Sequence, residues 1–253
     1  MLKDMIIVRF FYCLYQLFIA APVLIVATIL CALITIVMCS VFPHSKFWGH
    51  APQRLWGMVY CYMLLLPLKV EGREKIDKKA SYVFVANHQG AMDIFLIYAL
   101  LNHNFKWMLK KSLRKIPLVG EACYKADFIF VDRTSTRGLK KTVLEAREIL
   151  KDGISLMIFP EGSRTYDGKM GEFKKGAFLL ADELQLPVVP LTIDGSFEVL
   201  PRTKGVSFVN FHRMRLVIHD VIQPCGQGNE NMKVLSERSF EAINSALPEQ
   251  HRR

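Results

Sequence analysis

The chain has 253 residues, is half apolar and carries a formal net charge of +10, enough length for one sizeable domain with or without an appendage. Its mean hydropathy is positive, and residues 1–45 contribute only Lys3, Asp4 and Arg9, so +9 of the charge lies after residue 45. A basic body behind an apolar start points to an anionic membrane surface or anionic substrates. The absence of a Lys/Arg arm, an RNP motif or a zinc-finger pattern argues against nucleic acid as a partner.

The chain opens on a membrane signal. Residues 10–45 hold no Asp, Glu, Lys or Arg, and Leu17–Phe42 is almost wholly apolar. That exceeds the roughly 20 residues a helix needs to cross a bilayer and is too long for the apolar region of a cleaved signal peptide. It reads as a retained anchor, with Pro22 near a first turn or at a kink. Leu55–Leu68 is uncharged and rich in Trp, Tyr, Met and Leu. It is short for a span and suits an interfacial or re-entrant helix, with Trp56 and the tyrosines at the interface. The two segments predict a helical hairpin, or one span plus a surface helix. Residues 1–65 are expected to form the membrane-anchoring unit, and 66–253 an α/β domain on the cytoplasmic side. The six cysteines (Cys13, Cys31, Cys39, Cys61, Cys123 and Cys225) show no CxxC or Cys/His metal spacing. They read as reduced thiols, with no bound metal expected.

After Val70, strand and helix signals alternate. Strands are expected at Leu66–Val70, Tyr82–Ala86, Phe105–Leu109, Phe128–Val131, Ser155–Phe159, Val188–Ile193 and Met214–His219. Helices are expected at Ala91–Leu101, at Arg137–Leu150 with Leu139, Val143, Ala146 and Leu150 on one face, and from about Lys175 to Leu184. Asn229–Leu247 reads as an amphipathic helix whose Phe240, Ile243 and Leu247 cover the domain or lie on the membrane. The alternation predicts an α/β fold, a mostly parallel twisted sheet flanked by helices, with function on the loops at the strand ends.

Four stretches carry chemistry. VFVANHQGAMD (83–93) runs from a strand through a polar turn into a helix. His88 and Asp93 can share one pocket there. A carboxylate on Nδ1 leaves Nε2 free as a base, which suits deprotonating a hydroxyl for attack on a carbonyl. FIFVDR (128–133) delivers Arg133 to the sheet's edge, where a guanidinium can grip phosphate. In FPEGSRT (159–165), Pro160 and Gly162 force a tight turn that brings Glu161 and Arg164 to the same mouth. LPVVP (186–190) starts an edge or bulged strand and can wall an apolar slot.

In this order the four blocks resemble the glycerolipid acyltransferase family, specifically its bacterial 1-acyl-glycerol-3-phosphate acyltransferases of the PlsC type. The resemblance covers about residues 66–222. It implies acyl transfer from acyl-CoA or acyl-carrier protein to lysophosphatidic acid at a membrane, giving phosphatidic acid, with no cofactor. It also implies roles: His88 as general base, Asp93 as its orienting partner, and Arg133 as a phosphate ligand. Glu161, Gly162, Ser163 and Arg164 match the acceptor-binding block. Lys110, in WMLKKSL, matches a lysine near the acceptor phosphate or oxyanion, and Pro190 matches a proline linked to the acyl chain. Ser112 and Asp127 depart from the family's frequent Glu and Gly. Rival readings are the same chemistry on another lyso-lipid, a serine hydrolase pairing His88 with Ser163, and a non-catalytic lipid-binding protein. The hydrolase reading lacks a G-x-S-x-G elbow.

Overall fold

The computed structural model describes residues 2–131, 136–205 and 207–253. It contains seven strands: β1 (Leu68–Glu71), β2 (Val83–Ala86), β3 (Phe105–Lys110), β4 (Ile129–Val131), β5 (Ser155–Ile158), β6 (Val188–Asp194) and β7 (Met214–Ile218). They form one sheet in the order β1-β7-β6-β2-β5-β3-β4. Every pairing is parallel except β6 with β7. All seven expected strands are present, shifted by no more than two residues at either end.

The α-helices are α1 (Leu2–Tyr15), α2 (Ala21–Val41), α3 (Ala51–Met63), α4 (Asp93–Leu100), α5 (Val119–Lys125), α6 (Thr136–Ile149), α7 (Gly176–Leu184), the single turn α8 (Ser196–Val199) and α9 (Asn229–Ala246). Of these, α5, α8 and α1 were not expected as separate elements. A parallel sheet buries both faces, so its strands read as continuous apolar runs. Here alternate side chains feed two cores. Phe84, Ala86, Phe105 and Trp107 join one core with α4 and the N-terminal helices. Val83, Val85, Leu156 and Ile158 join the other with α6, α7 and α9. Ile243 and Leu247 are buried and Phe240 packs beside them, so α9 covers the sheet. Ala146 of α6 and Leu150 just past its end are buried as expected; the side chain of Leu139 lies outside the described residues.

Ile6–Val41 is long and apolar enough to cross a membrane, by length and composition. The helix therefore begins before the apolar run Leu17–Phe42. A π turn, Gln16–Ala20, joins α1 to α2. It precedes Pro22, whose missing N–H interrupts the helical ladder. The turn also buries Gln16, whose amide exchanges two hydrogen bonds with the Val209 backbone, at 3.0 and 2.8 Å.

α3 folds back antiparallel along α2 rather than lying free at an interface. Gln53 donates to Thr35 at 3.1 Å and Trp56 to Thr28 at 2.9 Å. Gly57 meets α4, where a Cβ would overlap Tyr98. The hairpin loop is pinned to the β3/β4 edge by Lys106, which is 1% exposed and donates to the Gly49 carbonyl at 3.2 Å. Asn104 donates to Lys46 O at 2.7 Å, and His44 meets Asp127 at 3.1 Å. Burial pulls the Lys106 ammonium down to about 8.

Pro190 corrects one expectation. Its strand, β6, is interior, between β7 and β2. The ladder nevertheless slips by one residue between the pairs Val188↔Ile222 and Leu191↔Ile218. Pro190 sits in that bulge, its carbonyl accepting His219 N–H at 3.0 Å. A residue with no N–H is tolerated inside a sheet at such a bulge.

Candidate active site

β2 ends at Ala86, and the next residue locks the turn. Asn87 is buried and exchanges two 2.8 Å hydrogen bonds with the Ile193 backbone of β6. His88 follows. Its Nδ1 lies 2.6 Å from Asp93 Oδ2, and the same oxygen accepts the N–H groups of Gln89 at 2.8 Å and Gly90 at 3.0 Å. Asp93 is completely buried. Its carboxylate therefore organises the whole turn, and α4 starts at Asp93 rather than at Ala91. With Nδ1–H donating to Asp93, Nε2 is left free to accept a proton. The imidazole stacks on Phe159, with centroids 3.9 Å apart and planes 6° from parallel.

The FPEGSRT turn grips His88 from the other side. Glu161 Oε1 accepts His88 N–H at 2.6 Å, and Thr165 N–H donates to His88 O at 3.0 Å. Glu161 Oε2 accepts Gly171 N–H at 2.7 Å. Glu161 is 7% exposed, and burial pushes its carboxyl up to about 6. Both of its oxygens are thus committed to backbone donors. Gly162 adopts φ 79°, a conformation open to glycine. Its N–H donates to Phe159 O at 3.0 Å, so the Gly90 and Gly162 N–H groups are both engaged within the fold.

Two cavities meet at this turn. An apolar one of about 380 Å³ is walled by α2, α3, α4 and β3, and His88, Lys110, Phe159 and Gly162 line it. A polar one of about 650 Å³ is lined by Glu161, Ser163, Arg164, Lys169, Lys174 and Arg253. The residues of the turn divide between the two sides: Phe159 and Gly162 line the apolar cavity, Glu161, Ser163 and Arg164 the polar one. Ser163 is exposed on the polar side, while His88 lines the apolar side.

Of the residues singled out from sequence, His88, Asp93, Glu161, Gly162, Ser163, Arg164 and Lys110 converge on this junction. Pro190 is buried in the sheet and is not among the residues lining the apolar cavity. Arg133 lies outside the described residues. Asp127, where the resemblance leads one to expect glycine, has φ 60°. The left-handed conformation accounts for glycine there, and aspartate is among the few residues that tolerate it.

Sequence reasoning missed several residues. Phe159 was seen only as a strand end, yet its ring supports the imidazole. Tyr98, Trp107 and Gln53 line the apolar cavity from three different elements, and nothing in the spacing linked them. The loop after Arg164 is held from afar: Gln89 Nε2 donates to Gly168 O at 2.9 Å, and Met170 N–H donates to His251 O at 3.0 Å. His251 in turn lies 2.6 Å from Glu198.

The acyltransferase family model matches residues 67–194, half of the chain. A chloroplast 1-acyl-sn-glycerol-3-phosphate acyltransferase of Arabidopsis thaliana is 32% identical over 181 residues, 71% of this chain and 50% of its own length. The 1-acyl-sn-glycerol-3-phosphate acyltransferase of Saccharomyces cerevisiae is 31% identical over 208 residues, 81% of this chain and 64% of its own. The chain spans about half the length of several of the relatives it matches. The crystal structure of the 1-acyl-sn-glycerophosphate acyltransferase PlsC from Thermotoga maritima superposes with a TM-score of 0.74 at 26% identity, covering 94% of this chain and 96% of that one. With that fold, that match and the His88–Asp93 turn at the end of β2, the chain belongs to the acyltransferase family.

Proposed function

We propose that the protein is a 1-acyl-sn-glycerol-3-phosphate O-acyltransferase that makes phosphatidic acid from lysophosphatidic acid and an acyl thioester. The observation that carries this reading is the position of His88, on the wall of an apolar cavity and beside the turn that opens a polar one, where Arg164, Lys169 and Lys174 stand among the carboxylates Glu161, Asp167 and Glu172. An acyl chain fits the first environment and a phosphate the second.

The acceptor enters from the bilayer with its phosphate toward Arg164 and Arg133. Its free hydroxyl donates to His88 Nε2. As His88 takes that proton, the oxygen attacks the thioester carbonyl and a tetrahedral oxyanion forms. The Gly90 and Gly162 N–H groups are occupied within the fold, so Lys110 is the cation we assign to the oxyanion or to the acceptor phosphate. An oxyanion donor is typically worth about 3–4 kcal/mol. Collapse expels the thiolate, which takes the proton back from His88. Asp93 holds the ring's tautomer throughout, and Glu161 holds its backbone, a positioning role in place of direct acceptor contact. No covalent acyl-enzyme is formed. Residues 1–65 anchor the enzyme and 66–253 carry the chemistry, facing the cytoplasm.

The test is a detergent-micelle assay with 1-oleoyl-glycerol-3-phosphate and acyl-CoA, run on wild type and His88→Ala, with product read by mass spectrometry. His88-dependent phosphatidic acid is the expected result. If folded wild type yields none with acyl-CoA or acyl-carrier protein, the acceptor is another lyso-lipid.

A further inference from the structure

A loop that the chemistry does not use carries exposed aromatic side chains beside the N-terminal helix. Between Glu198 and Asp220 the chain holds no Asp or Glu. Within that stretch Phe208 is 43% and Phe211 62% exposed, while Val209 between them is buried. Lys204, His212 and Arg213 are exposed with them.

The loop is fastened to α1. The N–H and the carbonyl of Val209 both pair with the Gln16 side chain, at 2.8 and 3.0 Å. Phe211 meets the Tyr12 ring edge-on, with centroids 6.3 Å apart. The Tyr12 and Tyr15 hydroxyls donate to the carbonyls of Leu64 and Met63 at 2.6 and 2.8 Å, next to the exposed Tyr62 and Leu65. Two segments distant in sequence thus flank the same turns of α1, each with large apolar side chains left uncovered. Those side chains continue the exposed apolar face of Ile6–Val41, the helix long and apolar enough to cross a membrane. Rings beside cations, with no carboxylate between them, suit the interfacial zone of an anionic leaflet. Apolar side chains settle there at the headgroup boundary while Lys and Arg meet lipid phosphates.

Resting on the membrane-anchored acyltransferase reading above, we propose that residues 207–212 are a membrane contact additional to the N-terminal helices, seating Phe208 and Phe211 in the interface of an anionic leaflet. The loop also reaches the site. Asn210 N–H donates to Val199 O at 2.9 Å, and its Nδ2 donates to Glu198 O at 2.8 Å. Both acceptors belong to α8, whose Ser196 lies against Gly90, two residues from His88. The depth of the loop in the leaflet thereby sets the height of the His88 turn above the bilayer.

The experiment uses the full chain reconstituted into phosphatidylcholine vesicles with and without phosphatidylglycerol. A Cys225→Ser background removes the exposed thiol and serves as the blank. The fluorophore NBD is attached to Phe211→Cys or, as a control, to Glu241→Cys, exposed on α9 over the other face of the sheet. Brominated lipid should quench the label at position 211, more strongly with phosphatidylglycerol, and spare the label at 241; iodide should do the reverse. Activity is then read in the double variant Phe208→Ser with Phe211→Ser. With 1-oleoyl-glycerol-3-phosphate presented in anionic vesicles, kcat/KM should fall by about ten-fold. With freely soluble 1-hexanoyl-glycerol-3-phosphate it should hold. An equal loss on both acceptors means a packing role and overturns the proposal, as does a label at 211 open to iodide. A label shielded from iodide yet untouched by brominated lipid means that a protein covers the loop, which overturns it too. Quenching indifferent to phosphatidylglycerol overturns the anionic preference. If wild type turns over neither acceptor, the acyltransferase reading has failed, and quenching decides alone: its presence at 211 upholds the contact and its absence removes it.

Discussion

Glu161 holds His88 by its backbone: Oε1 accepts the His88 N–H at 2.6 Å while Oε2 accepts the N–H of Gly171 at 2.7 Å. One buried carboxylate thereby ties the His88 turn to the loop that lines the polar cavity. Asp93 does the complementary job on the side chain, at 2.6 Å from Nδ1. His88 is held from both ends, so its ring and its backbone are separable targets for substitution.

Substituting the ring or its partner should remove transfer without unfolding the enzyme. His88→Ala and Asp93→Asn are expected to lower kcat by roughly 10²–10⁴-fold, the usual contribution of a positioned acid–base group. The measurement is turnover beside the thermal midpoint. A folded His88→Ala enzyme of near-normal kcat would remove His88 as the base.

Glu161 supplies a pH test with a definite sign. Burial raises its carboxyl from 4.5 to about 6 in the folded protein. Stability from a raised group is fully present below the unfolded value and is lost as the pH rises through the folded value. Relative to Glu161→Gln, which does not titrate, wild type should lose on the order of 2 kcal/mol as the pH climbs from below 4.5 to above 6. Denaturation midpoints of both proteins across that window give the difference, and a gap that widens in wild type's favour would contradict it. At neutral pH, Glu161→Gln should also reduce kcat, because its amide NH₂ points at a backbone donor.

Gly90 has no room for a side chain. A Cβ there would overlap the hydroxyl and the carbonyl oxygen of Ser196 and press on Leu200 O. Overpacking of this kind costs about 1–3 kcal/mol. Gly90→Ala should lower the thermal midpoint accordingly and displace the His88 turn, reducing kcat more than acceptor KM. An unchanged midpoint would mean that α8 yields freely.

Arg164 lines the polar cavity and leaves its carbonyl to Arg202, which donates at 3.1 Å. Arg164→Ala should raise acceptor KM by about ten-fold or more with a smaller change in kcat, and Arg164→Lys should recover part of the loss. A fall in kcat at unchanged acceptor KM would assign it to the transition state instead.

Asp127 tests why glycine suits its position. With φ at 60°, Asp127→Ala should be less stable than Asp127→Gly by about 1 kcal/mol. The exposed His44 contact contributes little to either comparison. Equal midpoints for the two variants would show that the left-handed backbone is not the constraint.

Much of the molecule was legible before any coordinates. The seven strands announced themselves because a parallel sheet buries both faces, leaving short runs such as VFVA and SLMI apolar throughout. The His88–Asp93 pair and the FPEGSRT turn were visible because their spacing is local, and a strand end followed by a polar turn leaves few conformations open. The short helices α5 and α8 were not visible, since a turn or two of helix has too little periodicity to read. The two prolines left an edge or a bulged strand open for β6, and the sheet decided between them: a bulge against β7 lets the strand run inside.

Residue order alone determined the α/β class, the apolar N-terminal helix and the identity of the chemical groups, because each depends on neighbours a few positions apart. Only the tertiary structure decided how those groups are used. It turned Glu161 from a residue at the mouth into the clamp on His88, placed Phe159 beneath the imidazole, and folded α3 back along α2. In doing so it enclosed a cavity whose Gln53, Tyr98 and Trp107 come from three separate elements. Contacts between residues far apart in sequence are set by packing of whole elements, and no local pattern encodes which side chains will face one another across the space they enclose.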